Sequence, residues 1–99
     1  MDKIFKALAD KNRRKIVTLL RDSDMGVNEM LPFLNIGQAT LSSHLSILRK
    51  AKIVSFEIKG RQRLYKLNTE VVSAFIGRLN EFVHFEDLKA LKTDIVTRK

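Results

Sequence analysis

The chain has 99 residues, no cysteine and a net charge of +8, with 44% hydrophobic and 30% charged residues. That length makes one domain over 1–99 rather than two, with only a modest core that a dimer interface would help to stabilise. Without cysteine, disulfides and thiol-based metal binding or redox sensing are excluded. No apolar run approaches the roughly 18 residues of a membrane span, and no signal peptide opens the chain, so a cytoplasmic protein is expected.

The charge is unevenly placed. Between residues 38 and 66, Arg49, Lys50, Lys52, Lys59, Arg61, Arg63 and Lys66 stand against Glu57 alone, whereas residues 67–99 balance. A basic excess concentrated in one segment points to a polyanionic partner.

In chain order, DKIFKALA places Ile4, Phe5 and Leu8 on one side of a short amphipathic helix. Asp10 is suited to cap a second helix, with Ile16, Val17, Leu19 and Leu20 inward and Arg13, Arg14 and Lys15 toward solvent or DNA. DSDMG breaks it. A third helix is expected from Val27 to Leu34, with Met30, Leu31 and Leu34 inward. Pro32 removes an N–H there and shortens or distorts it, and Asn35 suits the left-handed position that ends it. A fourth helix runs from about Gln38 to Ala51 behind a Gly37 cap, with Leu41, Leu45 and Leu48 recurring at core spacing. IVSFEI and RLYKL read as strands joined at KGRQ, where Gly60 permits the turn. Asn68 or Thr69 caps a last helix with a wide apolar stripe of Val72, Phe75, Ile76, Leu79, Phe82 and Val83. A second stripe, Leu88, Leu91 and Ile95, extends this helix or begins another, and residues 85–99 form an extension or tail.

Four helices, a two-stranded hairpin and a helix make a mainly α chain with a small β element, the winged helix-turn-helix order α-α-α-α-β-β-α. The second helix of a helix-turn-helix unit can lie in the major groove. Its exposed residues must be short enough for close approach and polar enough for base edges and phosphates. Gln38, Ala39, Thr40, Ser42 and Ser43 meet that need, and Ser42 and Ser43 are poor helix formers placed mid-helix. His44 is counted with them, although its type suits packing or hydrogen bonding beside the helix. Lys59, Arg61, Gln62 and Arg63 form a basic hairpin tip able to reach an adjacent backbone or minor groove. No Ser–His–Asp pattern, acidic pair or Gly-rich phosphate loop speaks for an enzyme. The aromatic stacking surface that single-stranded RNA needs is missing, with Tyr65 near the wing.

Three stretches carry a resemblance: FKALADKNRRKIVTLL, NIGQATLSSHLSILRKAKIV and KGRQRLYKLN. Over roughly residues 3–85 the chain resembles the ArsR/SmtB family of winged-helix repressors, and within it the small SdpR-type autorepressors. The resemblance implies a homodimer built from the first and last helices, bound to an inverted repeat in double-stranded DNA with half-sites about one helical turn apart. It places Gln38, Ala39, Ser42 and Ser43 at the major groove and Lys59, Arg61 and Arg63 in the wing.

Departures are informative. Many relatives sense metals, but VNEML holds no ligand pair, and Thr69, Val71, Phe82 and Phe85 are not ligands at the other site, so no metal or cofactor is expected. Lys11 and Gly37 stand where the family often has Pro and Ser. The alternative reading is a winged-helix module whose last helix binds another protein, an anti-repressor that releases it from DNA.

Overall fold

The computed structural model describes residues 2–82. Val83, His84, Phe85 and the stripe of Leu88, Leu91 and Ile95 lie outside the described residues. The elements are α1 (Asp2–Leu8), α2 (Lys11–Asp22), α3 (Val27–Met30) with a 3-10 turn at Leu31–Phe33, α4 (Gln38–Lys50), β1 (Val54–Lys59), β2 (Gln62–Leu67) and α5 (Thr69–Phe82). The order is the expected one. No helix among the described residues is long and apolar enough to cross a membrane.

The core is built around α4. Leu41, Leu45 and Leu48 are each 1% exposed or less and meet Ile16 and Leu20 of α2, Met30 of α3, and Ile53. Burying such side chains stabilises by about 1.5–3 kcal/mol apiece. Three leucines one turn apart therefore fix the depth at which α4 sits, with its other side outward.

The helix ends follow local chemistry, with two departures from expectation. The Asp10 carboxylate accepts from the backbone N–H groups of Asn12 (2.8 Å) and Arg13 (3.1 Å), capping α2. Asn68 accepts from the N–H of Val71 at 3.4 Å and so caps α5. The third helix stops at Met30, because Pro32 cannot donate an α-helical bond and the chain tightens into the 3-10 turn. Asn35 does not take a left-handed conformation; among the described non-glycine residues Lys52 alone has positive φ, at 64°. Lys52 ends α4 in a Schellman turn: its N–H donates to Arg49 O (2.9 Å) and that of Ile53 to Leu48 O (3.0 Å).

The hairpin pairs Val54 with Leu67, Phe56 with Tyr65 and Lys59 with Gln62, leaving a two-residue loop of Gly60 and Arg61. Gly60 takes φ 62°, the left-handed first position that a tight hairpin loop needs. A one-residue bridge between Met25 and Tyr65 ties the hairpin to the loop before α3. Val54 and Tyr65 are buried at the hairpin's base, whereas Ile58, on the same strand face as Val54, is 65% exposed. The hairpin simply outruns the body it packs on.

Candidate nucleic-acid interface

Gln38, Ala39, Thr40, Ser42 and Ser43 are all exposed on α4, on the sides turned away from its leucine stripe. No acidic residue lies on the helix, and Arg49 and Lys50 occupy its last turn. Gly37 offers no side-chain cap, so the first-turn N–H groups of α4 have no intrahelical or capping acceptor.

The wing stands beside the start of this helix. Val27, Asn28, Gln38, Arg61, Gln62 and Arg63 line one cleft of about 280 Å³. Four residues singled out in two separate stretches of sequence thus meet around a single space. Lys59 closes β1, with its Nζ 3.9 Å from Glu57 Oε2.

Charge on the wing is sorted by pairing. Glu57 is the one carboxylate between residues 38 and 66. Its hydrogen bond from Lys66 holds the carboxyl below the usual range near 4.5, and the same bond raises Lys66 above 10.5. Among the described residues neither Arg61 nor Arg63 pairs with a carboxylate. Arg63 instead lies over the Phe56 ring at 4.5 Å, and Arg49 of α4 over the same ring at 5.2 Å. Phe56 packs on Tyr65 with centroids 5.4 Å apart. This stack joins the last turn of α4 to the wing, so helix and hairpin present their cations as one body.

His44 stands apart from the exposed group. Its side chain is 13% exposed and lies toward α1 and α2, with Nδ1 3.1 Å from Arg13 Nη1 and Nε2 4.0 Å from Asp10 Oδ1. Arg13 departs from expectation with it: the side chain is partly buried among α1 carbonyls rather than directed to solvent. Arg14 likewise donates to Leu8 O at 2.8 Å. The contacts of Arg13 were missed because periodicity marks only which side of α2 the residue occupies, not that the short α1 ends beside it.

Two aromatic side chains mark a second surface. Phe5 of α1 and Phe75 of α5 meet edge to face with centroids 5.1 Å apart. Phe5 remains 43% exposed and Ile76 52%. Among the described residues no three His, Cys, Asp or Glu side chains gather as a metal ion would require.

Comparison with known proteins agrees with this architecture. Residues 10–55 match the family described as bacterial regulatory protein, arsR family. The chain is similar to the transcriptional repressor SdpR of Bacillus subtilis, 37% identical over 87 residues that span 88% of this chain and 97% of that one. It is also similar to the HTH-type transcriptional regulator Rv2034 of Mycobacterium tuberculosis, 32% identical over 82% of this chain and 76% of the relative. The crystal structure of a possible transcriptional regulator for arsenical resistance superposes with a TM-score of 0.77, covering 94% of this chain and 96% of that one at 24% identity.

Proposed function

The chain belongs to the arsR family of bacterial regulatory proteins, and from that premise we propose that it is a homodimeric repressor that reads an inverted repeat in double-stranded DNA. A DNA-binding transcriptional regulator of this family is not an enzyme. The observation that carries the proposal is the joint surface of α4 and the wing, where small polar side chains and unpaired arginines border one cleft.

The assigned roles follow from side-chain chemistry. Gln38 carries the amide that can pair with the N6 and N7 edge of adenine. Ala39, Ser42 and Ser43 are short enough to let the α4 backbone approach, and Thr40 and the serines donate to phosphates or base edges. Lys59, Arg61, Gln62 and Arg63 hold the flanking backbone, which makes affinity fall steeply with salt. A phosphate at the start of α4 supplies the acceptor that Gly37 lacks. His44 is not given a DNA contact in this assignment.

Dimerisation is proposed through α1 and α5, because Phe5 and Ile76 expose apolar surface there that a second copy would cover. Two copies related by a two-fold axis then present two α4 helices to half-sites about one helical turn apart. The bound dimer blocks a promoter in the cytoplasm by occupying it.

Selection of bound duplexes from random DNA, followed by titration of the winner against a scrambled duplex, tests the reading. The expected result is a palindromic winner bound by two chains more tightly than the scramble by about a thousandfold or more, the usual range of specificity ratios. Equal affinity for both duplexes would remove the sequence-reading role.

A further inference from the structure

We propose that Arg13 is a positioning residue that sets the rotation of α4 relative to α1 by holding His44. The consequence for DNA rests on the reading of α4 as the recognition helix; the placement of α4 does not.

The guanidinium spends three donors in three directions. Nε donates to Ala7 O at 2.6 Å, Nη2 to Lys6 O at 3.1 Å and Nη1 to His44 Nδ1 at 3.1 Å. Lys6 and Ala7 lie in the last turn of α1, where carbonyls lack i+4 donors, although Lys6 O also accepts from the Ala9 N–H at 3.3 Å. A planar guanidinium is rigid, so anchoring two of its nitrogens on α1 aims the third at α4. Arginine has no acceptor, so His44 Nδ1 must accept, and the ring proton resides on Nε2. That nitrogen faces Asp10 Oδ1 at 4.0 Å, the same carboxylate oxygen that caps α2. The end of α1, the start of α2 and the middle of α4 therefore converge on one pair of side chains.

The geometry gives this pair a task that the core performs only coarsely. Burial of Leu41, Leu45 and Leu48 fixes how deep α4 sits and which side faces in, but non-directional apolar contact leaves the finer rotation loosely set. A hydrogen bond is directional, and His44 lies between the buried leucines and the exposed serines around the helix. Side-chain tips stand about 5–6 Å from a helix axis, so a 15° roll of α4 moves them by about 1–2 Å. Such a shift breaks hydrogen bonds to base edges, which tolerate about 0.5 Å. It leaves the phosphate attraction, which is long-ranged, nearly intact. Loss of the contact therefore lowers the preference for the correct sequence and spares affinity for DNA in general. Because α1 also carries Phe5, the contact runs from the proposed dimer surface to the reading surface.

Three variants test this. His44→Asn places an amide oxygen where Nδ1 accepts and preserves the contact. His44→Leu removes the acceptor at similar volume, and Arg13→Gln removes the clamp. Without DNA, residual dipolar couplings should report an altered orientation of α4 against α1 in His44→Leu and Arg13→Gln, and the wild-type orientation in His44→Asn. Imidazole nitrogen shifts should report the Nε2–H tautomer in the wild type. With DNA, the ratio of selected to scrambled affinity should fall about tenfold in His44→Leu and Arg13→Gln and stay within about twofold in His44→Asn. Unchanged couplings in His44→Leu, a predominant Nδ1–H tautomer, or a lowered melting temperature with an unchanged ratio would each overturn the proposal. A wild type without sequence preference refutes the DNA-reading function instead, and the DNA-free couplings still decide how α4 is held.

Discussion

Replacing Lys52 with glycine should stabilise the protein. Lys52 ends α4 with φ 64°, a conformation in which an L-residue's Cβ crowds the following carbonyl. The position is over-determined from outside: its own N–H is bonded to Arg49 O, the next N–H to Leu48 O, and Leu48 and Ile53 are 0% and 1% exposed on either side. The left-handed conformation costs an L-residue about 1–2 kcal/mol. Glycine removes that cost but gives the unfolded chain more freedom, worth about 0.5–1 kcal/mol. The net gain of about 0.5–1 kcal/mol raises the melting temperature by roughly 2–8 °C in a domain of this size. Circular-dichroism melts at one protein concentration, with urea titrations at unchanged slope, measure it. Lys52→Ala is the control, since it removes the same charge and keeps the Cβ. If the alanine variant gained as much as the glycine variant, relief of the +8 charge would explain the effect and the backbone argument would fail. A lower melting temperature for the glycine variant would refute it outright.

Leu45→Ala, at a site 1% exposed, should cost about 2–5 kcal/mol in urea unfolding, much of the margin of a small domain. Gln38→Ala should flatten base preference at one position of each half-site in a selection experiment. Arg61→Ala should instead weaken every duplex alike and shallow the salt dependence by about 0.9 per lost phosphate contact. Phe5→Glu combined with Ile76→Glu should sediment as a monomer where the wild type sediments as a dimer. Bonds from the Arg13 and Asn12 N–H groups hold the Asp10 carboxyl below 3.8. Its contribution to stability is therefore complete above that value and lost as pH falls through the lower native one. The advantage of the wild type over Asp10→Asn in urea midpoint should be flat from pH 7 to 5 and shrink below about 3.8.

What could be read from sequence was whatever repeats at helical period or sits at a chain break. Leu41, Leu45 and Leu48 announced the buried side of α4, Asp10 the start of α2, Pro32 the early end of α3 and Gly60 the hairpin turn. The exposed residues of α4 followed by subtraction. What escaped were contacts between positions far apart in sequence, such as Arg13 with His44 and Met25 with Tyr65. Residue preference alone put the left-handed position at Asn35. The geometry of the helix end put it at Lys52, because two local backbone bonds and the burial of Leu48 and Ile53 hold that turn whatever its residue type. Ile58 counted as strand apolar content, but its exposure depends on how far the hairpin projects, which no local pattern encodes.

The net charge means something different along the chain and in space. Counted along the chain, the basic excess of residues 38–66 looks like one patch for one polyanion. In space its cations divide by what they already touch. Arg49 and Arg63 lie over Phe56 and fasten the wing to α4, and Lys66 neutralises Glu57. Outside that segment, Arg13 and Arg14 cap the carbonyl end of α1, a seven-residue helix too short to persist unaided. Arg61, at the loop between the strands, is the wing cation best placed to reach a phosphate without giving up a structural contact. A stacked arginine such as Arg63 can serve both ends, because the face of its guanidinium meets the ring while its N–H edge remains available. Charge removed at Arg61 should therefore be felt in binding alone, whereas charge removed at Arg63 also loosens the wing that carries it.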